Sequence, residues 1–208
     1  MSVRLFTPTP PNLPLAPQEY EATYQDKFSN TLRLFFNQLK TAFSAVLGTC
    51  GVMHLNAPYG VFIDLTTQSA AVANTAYPVL LGTAGTVNGI SIVGGSAVTV
   101  TYAGFYNFQF SLQLTKTGGA SLEFVYIWAR VDGVNTPSSA TRVAIQGAGS
   151  DTVAAWNFVL QMAAGSNFQL MWSVTDTRIQ IEYLAAAAPA PAIPSVILTA
   201  TYVSNIPV

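Results

Sequence analysis

From residue 59 onward the chain alternates apolar and polar side chains with a period of two. In WNFVLQMAAGSNFQLMWSVTD, residues 156–176, Trp156, Phe158, Leu160 and Met162 share one parity. Phe168, Leu170, Trp172 and Val174 do the same after the break Ala163-Ala164-Gly165-Ser166. Successive side chains of a strand point to opposite faces, so this predicts two strands, each with one apolar face. The short Gly-containing break predicts a hairpin between them. The other parity holds Asn157, Val159, Gln161, Asn167, Gln169 and Met171, a face that is neither oily nor charged.

The same reading predicts strands over 60–65, 77–81, 90–93, 97–102, 104–116, 121–131, 141–146, 152–162, 167–174, 177–183 and 195–203. Asp132-Gly133 is a hairpin turn signal. Turn signals recur at the roughly 8–12-residue spacing of an all-β sandwich. AAAAPAPAIP, residues 185–194, is too rich in proline for an inner strand and predicts a surface loop.

Before residue 59 the period changes. Tyr20, Tyr24, Phe28, Leu32, Phe35, Leu39 and Phe43 recur every three or four positions, which predicts one amphipathic helix over 18–46. Pro17 suits a first turn, and Glu19 and Glu21 suit the positive end of the helix dipole. The spacing is mostly four, longer than the 3.5 of a left-handed coiled coil. This aromatic stripe has two readings: packing on the chain's own β unit, or docking against a partner or sister copies. Residues 1–17 carry Pro8, Pro10, Pro11, Pro14 and Pro17 and read as an extended arm. Leu5, Phe6, Leu13 and Leu15, spaced between the prolines, suggest that it lies along another surface. Residues 47–58 are a linker, and 59–208 form the β unit.

Composition narrows the chemistry. Charged residues make up 8 % of the chain, against a usual ~25 %. Seven of the seventeen lie before residue 45, so the front and the body differ in kind. A net charge of −1 makes no electrostatic case for nucleic acid. Polar residues interrupt every apolar run short of the ~18–20 residues a membrane helix needs, which predicts no membrane insertion. MSVRLFTPTPPNLP has no apolar core like that of a secretory signal.

Cys50 is the one cysteine, so no intrachain disulfide can form, and it reads as a small buried or linker residue. His54 is the one histidine, without the company that a metal site or a nucleophile–base pair needs. No sequence pattern pairs the body's carboxylates Asp64, Glu123, Asp132, Asp151, Asp176 and Glu182 for glycoside cleavage, and Asp132 and Asp176 read as turn residues. The Gly-rich segment GTAGTVNGISIVGGS, residues 82–96, lacks a phosphate-loop lysine, and its glycines read as turns. We read no enzyme, no cofactor and no metal here.

Four β segments carry a resemblance. AGFYNFQF (103–110), YIWARVDG (126–133), VLQMAAGSNFQLMWSV (159–174) and SVILTATYV (195–203) resemble, in order, strands of the tumour-necrosis-factor and complement-q globular heads. PLAPQEY, RLFFNQL and PAIPSVILTATYV together resemble virion proteins of tailed phages of aquatic bacteria. The resemblance implies an antiparallel jelly-roll sandwich of about ten strands and a homotrimer on the virion surface. It also implies attachment to capsid, tail or neck proteins. It transfers no catalytic residue. On this reading Leu5, Phe6, Leu13, Leu15 and the helix stripe are the anchoring or assembly surface, and the uncharged six-residue face lies between copies. A receptor-binding knob for host-surface glycans is the alternative.

Overall fold

The computed structural model describes residues 9–13, 15, 18–47, 57–204 and 206, with the side chains of 45–47 left aside. The predicted positions Leu5, Phe6, Pro8, Pro14, Pro17, Cys50 and His54 lie outside the described residues. The chain divides into two compact units between Asn56 and Ala57. The first holds one helix, α1 (Ala22–Leu47). It starts four residues later than the stripe predicts. The Gln25 amide donates to the Glu21 carbonyl at 3.1 Å, which puts Glu21 at the cap. Glu19 and Glu21 therefore precede the helix, still near its positive end.

The second unit is antiparallel β throughout. Its strands are β1 (Tyr59–Asp64), β2 (Gln68–Ser69), β3 (Tyr77–Pro78), β4 (Thr83–Asn88), β5 (Ile90–Val93), β6 (Ala97–Val100) and β7 (Gly104–Lys116). They continue with β8 (Leu122–Val131), β9 (Val134–Asn135), β10 (Thr141–Gln146), β11 (Ser150–Met162), β12 (Asn167–Val174), β13 (Ile179–Ile181) and β14 (Val196–Ser204). That makes fourteen among the described residues rather than about ten. The additions to the predicted spans are two two-residue pairings, β2 and β9, and one edge strand. That edge strand, β4, lies in the Gly-rich segment predicted to be turns. Gly85 serves a close approach there: a Cβ on it would stand 3.3 Å from the Val61 carbonyl oxygen across the β1–β4 ladder.

The main ladders are nested. β1 pairs with β14, β6 with β12, β7 with β11 and β8 with β10. The chain thus goes out along β1, β6, β7 and β8 and returns along β10, β11, β12 and β14. Lateral ladders β14–β7 and β12–β8 gather these strands into two sheets. The first runs β11–β7–β14–β1–β4, with β13 and β2 extending the rows of β14 and β1. The second runs β10–β8–β12–β6–β5, with β3 beside β12 and β9 beside β8. Asp132 and Gly133 both have positive φ (48° and 79°), the two-residue turn expected between β8 and β9.

One correction concerns residues 156–174. β11 and β12 have the predicted alternation but do not pair. β11 lies along β7 over its whole length, and β12 lies between β8 and β6 in the other sheet. The break at 163–166 is a crossing between layers. The Gly165 amide donates to the Val100 carbonyl at 2.9 Å, and the Val100 amide to the Ser166 carbonyl at 3.1 Å, which binds the crossing to β6. Both apolar faces look into the same core, from opposite sides.

That core is aromatic. Phe108 of the first sheet stacks on Phe168 of the second with ring centroids 4.1 Å apart and planes at 9°. Contacts continue from Phe168 to Phe158, Phe110 and Trp156 on one side. They continue from Phe108 to Tyr106 and Tyr202 on the other. Tyr106 is buried and its hydroxyl donates to the Tyr102 carbonyl at 2.8 Å; burial holds this phenol above its ordinary pKa. Trp156, Phe158 and Leu160 point into the sandwich yet stay only half-buried, because β11 is an edge strand.

Candidate functional site

Four ladders bring the outward positions of the first sheet into register. One row across β11, β7, β14 and β1 reads Asn157, Gln109, Thr199, Val61. The rows on either side read Val159, Asn107, Thr201, Tyr59 and Ala155, Ser111, Ile197, Ile63. None of these twelve is charged. Their amides partly satisfy one another: Asn157 Nδ2 donates to Asn107 Oδ1 at 2.9 Å. Apolar side chains stand exposed among them, Val159 at 57 % and Tyr59 at 42 %. The carboxylates Asp151 and Glu182 appear only at one end. There, with Gln113, Leu114, Thr152, Val153 and Leu184, they line a groove of about 220 Å³.

The six residues predicted for this face do not stay together. Asn157, Val159 and Gln161 are exposed on the outside of the first sheet. Asn167, Gln169 and Met171 lie on the outside of the second, because β12 belongs there. Asn167 holds Asp132 Oδ1 through its backbone amide at 2.8 Å. Gln169 Oε1 accepts from Arg130 at 2.6 and 3.0 Å, and its Nε2 donates to Ser96 Oγ at 3.0 Å. Met171 is 1 % exposed, on a central strand between the rows of Trp128 and Pro78. These three are local structure. The positions that the prediction omitted are the outward residues of β7, β14 and β1. Their alternation was legible, but only the sheet order sets them beside β11.

The predicted anchor residues fall in the first unit. Leu13 is 47 % exposed, Leu15 94 %, Tyr20 83 % and Phe43 57 %. Tyr24, Phe28, Leu32, Phe35 and Leu39 are half-buried along one side of α1.

Lys116, Asp64, Asp176 and Glu123 are tied into local structure. Lys116, fully buried at the end of β7, donates from Nζ to the Ser121 carbonyl at 2.5 Å and ties down the β7–β8 loop. Asp64 is 3 % exposed and accepts from the Thr66 amide at 2.8 Å, closing the turn after β1. Asp176 is the predicted turn residue. It accepts from the Arg178 guanidinium at 2.5–3.0 Å and from the Arg178 backbone amide at 2.9 Å. Those bonds, the side-chain ones first, hold its carboxyl at about 2. Hydrogen bonds from Thr175 and then Ser121 hold Glu123 below its ordinary value. A carboxylate depressed in the folded state stabilises the fold above its unfolded pKa of ~4. That contribution fades as pH falls toward the folded value. Thermal unfolding between pH 5 and pH 2 should therefore show falling stability. Asp176→Asn should flatten that fall while lowering the melting temperature at neutral pH. An unchanged slope would remove Asp176 from the account.

Among the described residues no group of three or more His, Cys, Asp or Glu side chains could hold a metal ion, and no helix is long and apolar enough to cross a membrane. No protein-family model matches the chain, and no curated protein matches it.

Proposed function

We propose that this chain is a non-enzymatic structural protein of a bacteriophage virion, a homotrimer whose β unit is a jelly roll standing on the particle surface. It serves as a head decoration or as a short tail or neck fibre, held by the region before residue 47. The nested pairing β1–β14, β6–β12, β7–β11, β8–β10, wound into two sheets, supports the jelly roll. The virion placement rests on the resemblance of the arm, helix and last strand.

The observation that carries the assembly reading is the uncharged outer face of the first sheet. Obligate interfaces are depleted of charge, and solvated faces are not. A single self-complementary patch would give a two-fold dimer. Here a second, different surface stands beside the first: the open edge of the sandwich, where Trp156, Phe158 and Leu160 remain half-buried. An edge of one copy against the face of the next is a head-to-tail contact, and such a contact gives a ring of three when the rotation between copies is 120°. Sedimentation of the full chain should give the mass of three copies. Removing residues 1–46 should abolish attachment to particles. Normal decoration by the shortened chain would refute the anchor, and a mass of one chain would refute the trimer.

A second reading has its own observation. Phe124, Tyr126 and Trp128 alternate along the outside of β8, with the Arg142 guanidinium 4.3 Å over the Phe124 ring. Trp128 is set in place by a 2.9 Å bond from Nε1 to Asn135. Aromatic faces flanked by guanidinium groups suit host-surface glycans that carry carboxylates. Glycan-array binding lost in Trp128→Ala would support that role, and a blank array with the full chain would remove it.

A further inference from the structure

We infer that the apolar stripe of α1 is covered by the same helix of two sister copies, as a parallel three-helix stalk that is straight or slightly right-handed. The number three rests on the trimer reading above. The covering of the stripe rests on the helix itself.

The half-buried residues of α1 are Tyr24, Phe28, Thr31, Leu32, Phe35, Leu39 and Ala42. They repeat at a spacing of eleven: Tyr24 with Phe35, Phe28 with Leu39, and Thr31 with Ala42. Leu32 adds Phe43 at the same interval. Eleven residues in three turns is ~3.67 per turn, close to the 3.6 of a free helix, so the stripe runs almost parallel to the axis. A seven-residue repeat would wind around the helix and impose a left-handed supercoil. From Tyr24 to Phe43 this stripe is about 29 Å long. A partner must be just as straight to follow it from end to end, and a second copy has that pitch by identity.

The chemistry of the stripe agrees. The helix's charges, Asp26, Lys27, Arg33 and Lys40, all lie off it. Thr31 in the stripe donates its hydroxyl to the Lys27 carbonyl at 2.8 Å, so covering it strands no donor there. With six large apolar side chains, Tyr24 to Phe43, full cover would bury on the order of 600 Å² per copy, near the ~800 Å² per partner of a standard interface. A cyclic assembly makes the helices parallel. Contact with the particle then falls to the arm that precedes the helix.

Disulfide trapping in the full chain, with Cys50→Ser as background, tests this. Phe35→Cys and Leu39→Cys sit on the stripe; Arg33→Cys and Lys40→Cys face away and are the controls. A disulfide needs Cα atoms within about 7 Å, which only stripe positions would meet in a stalk. Under mild oxidation each stripe variant should form linked pairs at least about ten-fold faster than its control, with the mass by sedimentation remaining three chains. Equal rates at both stripe positions and controls, with the mass still three chains, would overturn the stalk and leave the trimer standing. A mass of one chain in the Cys50→Ser background would overturn the trimer reading, and the stalk with it. Agreement between the two stripe positions guards against one variant merely damaging its helix.

Discussion

Phe108→Ala should lower the unfolding free energy by about 3–5 kcal/mol, the upper range for truncating one buried side chain. Phe108 is wholly buried, and its ring lies flat on Phe168, the contact that joins the two sheets at their centre. Removing it takes away the transfer energy of the ring and leaves a void that the stacked neighbours cannot fill without leaving their own contacts. Such a loss is a large share of the roughly 5–15 kcal/mol that holds a typical domain together. A urea titration followed by tryptophan fluorescence reads it directly, since Trp156 and Trp172 sit in or beside this core. A shift below about 1 kcal/mol would mean that the two layers do not depend on this stack.

One residue along the same strand the effect reverses in kind. Gln109 points outward in the middle row of the uncharged face, beside Asn157 and Thr199. Gln109→Glu keeps its size and adds one negative charge. As an exposed position in a single copy it should change intrinsic stability by no more than about 0.5 kcal/mol. In a closed trimer it leaves three unpaired carboxylates in a dry contact, a cost of roughly 3–5 kcal/mol for each. Sedimentation at micromolar concentration should then find single chains, with unfolding midpoints per chain that no longer depend on protein concentration. A trimer that survives Gln109→Glu unchanged would show that this face looks into solvent. Position 108 thus tests the fold, and position 109 the assembly.

The periodicities of this chain are legible in its residues alone. Gly104–Lys116, Ile90–Val93, Thr141–Gln146 and Asn167–Val174 are strands over the predicted spans, and the Asp132-Gly133 turn falls where its dipeptide indicates. The start of α1 is less clear. Pro17, Glu19 and Glu21 all suit a first turn, and the capping bond at Glu21 decides between them. β4 escapes the pattern because Gly82 and Gly85 read as turns, whereas the edge of the sheet uses a glycine for close approach to β1.

By itself the sequence determined the parity of each strand, the stripe of the helix and the scarcity of charge, because each is a local property of neighbouring side chains. Only the tertiary structure decided which strands lie together. A period of two says which side of β11 and of β12 is apolar, and it is silent on which sheet holds each. That depends on contacts between residues far apart in the chain, such as Asn157 with Gln109 and Thr199 with Val61. So the six-residue face read along the chain came apart, and a larger one, drawn from β11, β7, β14 and β1, took its place.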